Sequence, residues 1–514
     1  MQNNGDQRYD KGMKGDNIYL GAKMVTKNSW NYNEQEINLG EIPMDLYHLT
    51  QASTIWNENH YWRKSVHDYF IRKTPFGSYV LVSGTEMVLK NLHNLHFSDE
   101  EVDTIEIVLK QVGSKVQDDF LEYLRKFRIR KFRGTVAGML EGSIALPQEP
   151  IFRITGEWLE TWIIETMILK HMNYASFTAT YASRAVTAAM GIPIAGFGLR
   201  RGPGDGNAIT AERSGYIGGF ASTSNVLAGI RLGIPISGTM SHELVQGLSL
   251  LTGSEIKAFA IYGRNNPGNQ IFLTDTFVSL RGIEHAIMAA AILGKPAKAI
   301  REDSGDLIEK AREARELDKD KKSFKGIALS GDLNIWQIHR IANSGADVTF
   351  LGLGTNFISP AEVNKIGVDS GGGNDITSAL GGVYKLSALE NNSGELEPTL
   401  KLSSDEAKTT LPGVKEVWRE YNKTGEILGS HIMLEDEEGP GYDCDKVLVD
   451  MMKNGKMLFD VMDISDVRWF ALENIAKIQG KHKRIKNPEP IPVTISDKLI
   501  RLRKDLIEKA KNIA

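Results

Sequence analysis

Six polar clusters hold most of the residues able to do chemistry: FGLRRG at 197–202, SGTMSHE at 237–243, LTDTF at 273–277, IREDSGDL at 300–307, LSGDL at 329–333 and FLGLGTN at 350–356. Arg200 and Arg201 are adjacent guanidiniums, each able to grip a carboxylate or phosphate through paired hydrogen bonds. His242 offers an imidazole, which can attack a phosphate through one ring nitrogen while the other is held. Arg301 and Asp303 stand two apart in a strand-like stretch and so share a face, which lets them serve one site, with Asp275 as a further carboxylate. Ser330, Gly331 and Asp332 are turn and N-cap residues before a stretch in which Ile335, Ile338 and Ile341 recur at helical spacing. Gly352 and Gly354, followed by Thr355, would let a phosphate approach backbone N–H groups. Together these residues suit an anionic, phosphorylated substrate.

Each cluster is preceded by a short apolar run and followed by a helical stretch, a grammar of parallel βα units whose ligands bind beyond the carboxyl ends of the strands. Six such ends in succession predict one shared pocket in a barrel over 186–386. Residues 38–185 read as a mixed α+β domain, and short strands and turns return over 387–480, so both flanks are expected to build one domain. A basic, Pro-containing linker and a last helix carrying Leu499, Leu502 and Leu506 fill 481–514.

Composition narrows the function classes. With 514 residues the chain can bury a large core without metal or disulfide staples. Lys+Arg 61 against Asp+Glu 65 gives a net charge of −4, without the basic footprint expected for nucleic acid or an anionic membrane. One cysteine, Cys444, permits no internal disulfide and fits a reducing compartment. The polar start has no apolar signal region, and no run reaches the roughly 18 apolar residues a membrane helix needs. A cytoplasmic protein with small-molecule partners is expected.

Ten segments in order then identify a resemblance to the nicotinate phosphoribosyltransferases, within the pyridine-base phosphoribosyltransferase group: PMDLYHLTQ (43–51), FGLRR (197–201), IGGFASTSNVLAG (217–229), GIPISGTMSHE (233–243), TDTF (274–277), IREDSGDL (300–307), LSGDL (329–333), GLGT (352–355), GGVYKL (381–386) and PGVKEVWR (412–419). The last hundred residues add nothing to it. The resemblance implies an irregular α/β barrel joined to an α+β domain, assembled as a homodimer with shared active sites. It implies that nicotinate and phosphoribosyl pyrophosphate give nicotinate mononucleotide and pyrophosphate, with ATP hydrolysed through a phosphohistidine at His242 and Mg²⁺ as cofactor.

By the same resemblance, Tyr47 of the partner subunit and Phe197 would sandwich the pyridine ring, while Arg200, Arg201, Ser224 and Thr239 bind substrate. Asp275, Arg301 and Asp303 would act at the ribose and phosphates, with Asp303 also toward Mg²⁺. Ser330, Gly331, Asp332, Gly352, Gly354 and Thr355 would bind phosphate. Glu302, at a position commonly apolar in such proteins, should face away from the pocket. Nicotinamide-specific relatives carry an aspartate where this chain has Ser224, so Ser224 with Arg201 favours the acid. A nicotinamide phosphoribosyltransferase is the alternative reading.

Overall fold

The computed structural model describes residues 44–359, 380–403, 408–441, 443–460 and 462–513. Six short strands form a parallel sheet in the spatial order Ser222–Thr223, Ile194–Gly196, Phe350–Leu353, Phe324–Leu329, Ala297–Glu302 and Ile271–Leu273. They are apolar and mostly buried because helices cover the outer face of a parallel sheet, which leaves no solvated face for alternating polar residues. Between the two outermost strands runs no regular strand. Thr223 and Ile236 form a single bridge there, and Asn269 Nδ2 donates to the Gly238 carbonyl at 2.8 Å. The barrel is irregular at this seam.

The seam corrects one expectation. SGTMSHE does not end a buried strand, for Ile236 is 51% exposed and pairs only once. His242 instead opens the helix His242–Thr252, capped by Ser241 Oγ, which accepts from Leu244 N–H at 3.3 Å. Two smaller differences have similar causes. The helix Ile335–Asn343 takes its cap from Asn334 in a reciprocal pair with Gln337, not from 330–332, because Asp332 has a left-handed backbone. The apolar run from Val348 to Leu351 reads as a strand, but the strand runs Phe350–Leu353, since Gly352 and Leu353 pair with Ala195 and Gly196.

The flanks share a seven-stranded sheet. Lys64–Ile71 lies between Gly382–Glu390 and Pro150–Glu157, and Thr135–Gly138 pairs with Val449–Lys453, all antiparallel. Lys415 fastens a neighbouring four-stranded sheet to it. Its Nζ reaches Asp68 Oδ2 at 2.8 Å and donates to the carbonyls of Leu411 and Gly413, and both charged side chains are 3% exposed. Burial lowers the Lys415 pKa against the opposing pull of Asp68.

The expected boundaries at 185/186 and 386/387 fall inside the helix Glu165–Ala189 and the strand Gly382–Glu390. Each element belongs to two layers at once, which no change of periodicity could mark. The helix is a long core element rather than a linker. From Ala175 to Ala189 it is dominated by Ala, Ser and Thr, and the close approach is visible at Gly218, where a Cβ would sit 2.5 Å from the Ala179 carbonyl. Thr178, buried, and Thr187, half-buried, donate their hydroxyls to carbonyls four residues back at 2.8 Å, so these polar side chains pack against the core with their donors satisfied.

The segment expected as a linker is likewise part of the fold. Val493–Ile495 pairs in parallel with Ile427–Leu434, Arg184 donates to the Arg484 carbonyl, and Leu499 of the helix Asp497–Ile513 packs on Leu411 and Ile432. Residues 38–43 and 360–379, which the expected domain limits include, lie outside the described residues.

Candidate active site

A cavity of about 650 Å³ opens at the carboxyl ends of the parallel strands. Of the expected residues, Phe197, Arg200, Arg201, Ser224, Thr239, Arg301, Asp303, Ser330, Gly331, Asp332, Gly352, Gly354 and Thr355 all line it. They come from distant parts of the chain and meet because parallel strands deliver every βα loop to the same end. Arg200 and Arg201 sit in a single 3₁₀ turn, Leu199–Arg201, exposed at the mouth, with no ion pair among the described residues. Both guanidiniums therefore present donors to whatever enters.

Arg301 is more deeply set. It donates through Nη1 to Thr239 Oγ1, and its Nη2 lies 3.6 Å from Asp303 Oδ1, while its buried Nε has no partner. Burial lowers the Arg301 pKa, opposed by Asp303 and Asp275, with Arg200 adding to the lowering. A guanidinium still carries its charge under such a shift, so Arg301 is a fixed cation short of one hydrogen bond.

Asp275 and His242 stand at the rim beside Arg301 and Asp303. The Asp275 side chain is 2% exposed; its Oδ2 accepts from the Asp303 backbone N–H at 3.2 Å and the Ser304 hydroxyl at 2.6 Å. Asp275 Oδ1 has no hydrogen-bond donor and faces His242 Nε2 at 3.8 Å. Asp303 Oδ2 lies 3.9 Å from the same nitrogen, and its Oδ1 accepts from the Ser330 hydroxyl. His242 Nδ1 is 3.1 Å from Thr276 Oγ1, whose hydroxyl faces the Leu273 carbonyl at 3.4 Å. With that hydroxyl donating to the carbonyl, the ring N–H belongs on Nδ1 and the lone pair on Nε2. Thr276 was not singled out in the sequence, although its place in LTDTF beside Asp275 is a signal that could have found it.

Two of these glycines have a steric reason besides phosphate approach. A Cβ on Gly352 would fall 2.5 Å from the Phe197 ring, so this glycine makes room for the aromatic side chain. A Cβ on Gly331 would lie 1.9 Å from the Asp303 carbonyl oxygen, and its φ of +98° suits glycine. Ser330 orients Asp303 through its hydroxyl, a task the sequence did not suggest. Glu302 faces away from the cavity, as expected, and is fully buried: it accepts from Thr274 Oγ1 and from Ser279 Oγ at 2.7 Å and pairs with Lys310 at 3.3 Å.

Tyr47 does not line this cavity. It lies on the helix Leu46–Asn57, 41% exposed, its ring centred 3.9 Å from the His48 ring and tilted 36° to it. Burial, together with Glu165 and Asp45, pushes its pKa up to about 12. Glu165 also accepts from His48 Nε2 at 3.3 Å, so the aromatic corner is braced from below.

Mg²⁺ is implied by the resemblance, and the donor chemistry fits it. Among the described residues no group of three His, Cys, Asp or Glu side chains could enclose an ion. Mg²⁺ in phosphate chemistry needs fewer, one or two carboxylates completed by water and substrate oxygens. Asp275 Oδ1, buried without a donor, and Asp303 Oδ2 supply that pair.

Comparison with known proteins identifies the family. Residues 42–173 match the family described as nicotinate phosphoribosyltransferase (NAPRTase) N-terminal domain, and residues 438–503 match its C-terminal domain, a stretch in which the motifs carried no expectation. A nicotinate phosphoribosyltransferase of Bacillus subtilis (strain 168) is 31% identical over 480 residues, covering 88% of this chain and 92% of the relative. One of Caenorhabditis elegans is 28% identical over 552 residues, covering 92% and 94%. The crystal structure of human nicotinic acid phosphoribosyltransferase shares the fold with a TM-score of 0.73 at 24% identity, over 91% of this chain and 100% of that one. The arrangement of guanidiniums, carboxylates and histidine at the strand ends, and identity sustained along nearly the whole relative, lead to one conclusion: the chain is an enzyme of the nicotinate phosphoribosyltransferase family.

Proposed function

We propose that the enzyme joins nicotinate to phosphoribosyl pyrophosphate, releasing pyrophosphate and nicotinate mononucleotide for NAD synthesis, and that ATP is hydrolysed in step through a phosphate carried on His242. The observation that carries the coupling is the placement of His242 Nε2 beside Asp275 and Asp303, with Nδ1 held by Thr276, on the rim of a cavity that contains three guanidiniums. Nε2 attacks the γ-phosphorus of ATP and ADP leaves with the bonding pair; water later returns the phosphate to solution and the imidazole to its starting state. Free N–H groups in the first turn of the helix His242–Thr252 favour an anion on that ring.

In the ribosyl transfer the pyridine nitrogen forms a bond to the anomeric carbon as the bond to pyrophosphate breaks, and the leaving group takes the electron pair. Positive charge grows on the ribose and negative charge on the leaving oxygens. In this reading Arg301 and the 330–332 and 352–355 turns, whose residues contribute to the cavity lining, receive the phosphates, and Asp303 the ribose hydroxyls. Mg²⁺, held by Asp275 and Asp303, would neutralise the departing pyrophosphate. Phe197 offers one face to the base, Arg201 its guanidinium to the carboxylate, and Ser224 no competing anion.

A homodimer completes the pocket in this reading, with Tyr47 of the second copy over the base. Exposed apolar side chains support association: Val226, Ile230 and Ile236 are more than half uncovered, Leu227 is 42% exposed, and Leu250 and Leu251 are 85% and 82% exposed. Among the described residues no helix is long and apolar enough to cross a membrane. Inactive Tyr47→Ala and Arg200→Ala proteins, mixed after subunit exchange, are expected to recover about a quarter of the wild-type rate, since one heterodimer pocket in two regains both residues. Verified exchange without recovery rules out the shared pocket.

The base is tested directly. Labelled phosphoribosyl pyrophosphate incubated with nicotinate or nicotinamide, with and without ATP, is expected to give nicotinate mononucleotide at a kcat/KM at least about a hundredfold above the amide product, a difference of roughly 2.7 kcal/mol. A higher kcat/KM for nicotinamide would reassign the enzyme to the amide.

A further inference from the structure

Glu212 is a buried carboxyl that the mechanism above does not use. It lies in the helix Asp205–Ile217, 2% exposed, against the backbone at the end of the strand Ile194–Gly196. A Cβ on Gly196 would fall 2.0 Å from Glu212 Oε2, so the missing side chain is what makes room for the carboxyl. The Gly198 N–H and the Thr223 hydroxyl face the group, and Oε1 has no hydrogen-bond partner.

These neighbours place it directly behind the proposed base subsite. Phe197 stands between Gly196 and Gly198, while Ser224 follows Thr223 and donates its backbone N–H to the Gly196 carbonyl at 2.8 Å. No cation balances the carboxyl among the described residues. Arg213, next in sequence, turns to Glu86 and Glu141. The titratable group facing it from the helix Glu165–Ala189 is Tyr174, whose hydroxyl donates to the Ile358 carbonyl at 2.8 Å and whose pKa is pushed up to about 12 by burial and by Glu212. Gly196, Gly198 and Thr223, which meet it from the strand ends, do not titrate. Burial pushes the Glu212 carboxyl up to about 7, against the smaller opposing effects of Thr223 and Gly198.

We propose that Glu212 is a positioning residue that tunes specificity at the base subsite: neutral, it ties Gly198 and Thr223 together behind the bound base, and ionised, it repels the nicotinate carboxylate, so that nicotinate binds with uptake of a proton at Glu212. The proton goes to Oε1, the oxygen that no donor occupies. The inference rests on the assignment of nicotinate to this pocket. The sign follows from linkage: an anionic ligand favours the protonated carboxyl, so affinity is highest at low pH and falls as pH rises through about 7.

Calorimetric titration of the full-length protein with nicotinate from about pH 6 to about pH 8 tests this. Wild type is expected to lose roughly tenfold in affinity across that range, with proton uptake visible in buffers of different ionisation enthalpy, a size set by like charges separated by a few residues of packed backbone. Glu212→Gln keeps the shape and is expected to bind with a flat profile. Thr223→Val removes a donor that favours the ionised form and should move the midpoint to higher pH. The proposal is overturned if wild type shows no fall, if Glu212→Gln falls as wild type does, or, should that variant not fold, if Thr223→Val leaves the midpoint in place. In all of these nicotinate binding itself survives; absence of nicotinate binding by wild type would remove the base assignment and the proposal together.

Discussion

His242→Asn is expected to leave a folded enzyme whose synthesis of nicotinate mononucleotide no longer responds to ATP. The ring is 40% exposed and makes one side-chain hydrogen bond, to Thr276, which an asparagine amide can replace in part, so little stability depends on it. What asparagine lacks is a nitrogen lone pair able to take a phosphate. A stimulation of about a hundredfold in wild type would correspond to roughly 2.7 kcal/mol of coupling, and all of it should vanish. Two measurements check this: the ratio of rates with and without ATP, and incorporation of acid-labile, base-stable label from γ-labelled ATP. Full stimulation in the variant, or label retained on another residue, would refute the role of His242.

Asp275→Asn should lower kcat by about two to three orders of magnitude with little change in thermal stability. The substitution is isosteric, and the oxygen that accepts from Asp303 N–H and Ser304 Oγ can be kept. The other oxygen, buried and without a donor, becomes an amide N–H₂ facing His242. One negative charge is lost where Mg²⁺ and the developing positive charge on ribose need it, an electrostatic loss of about 3–4 kcal/mol. A weakened dependence on Mg²⁺ concentration should accompany the slower turnover. A kcat within threefold of wild type, with unchanged Mg²⁺ dependence, would show that the orphaned oxygen has no part in the reaction.

Much of this site was legible in the chain because βα barrels convert sequence order into spatial convergence. Once the apolar runs before 197, 274, 330 and 350 read as parallel strands, the polar residues after them had to meet at one end. Pairs such as Arg301 and Asp303 could be placed on one face by the two-residue period of a strand, and they line the cavity together. Where the reading slipped, a local signal had two explanations. SGT before His242 looks like any strand end, yet the segment bridges once at the barrel seam and the histidine heads a helix. Gly352 reads as a phosphate turn, and the space left by its missing Cβ also accommodates the Phe197 ring.

By itself the amino-acid sequence determined the kind of protein this is: residue types in a fixed order, each before or after an apolar run of defined period, set the barrel, its chemical inventory and the family. Only the tertiary structure decided which of those groups act on each other. Whether a carboxylate is paired, orphaned or neutral depends on neighbours brought from tens or hundreds of residues away, and local pattern holds no information about them. Asp275 acquires a free oxygen from the positions of Asp303 and Ser304, and Thr276 becomes the partner of His242 across a helix start. Glu212, an unremarked residue in the middle of a helix, comes to rest behind the base subsite because Gly196 leaves it space. Periodicity sets which face of an element is apolar, but packing sets the distances and the local dielectric on which charge interactions depend.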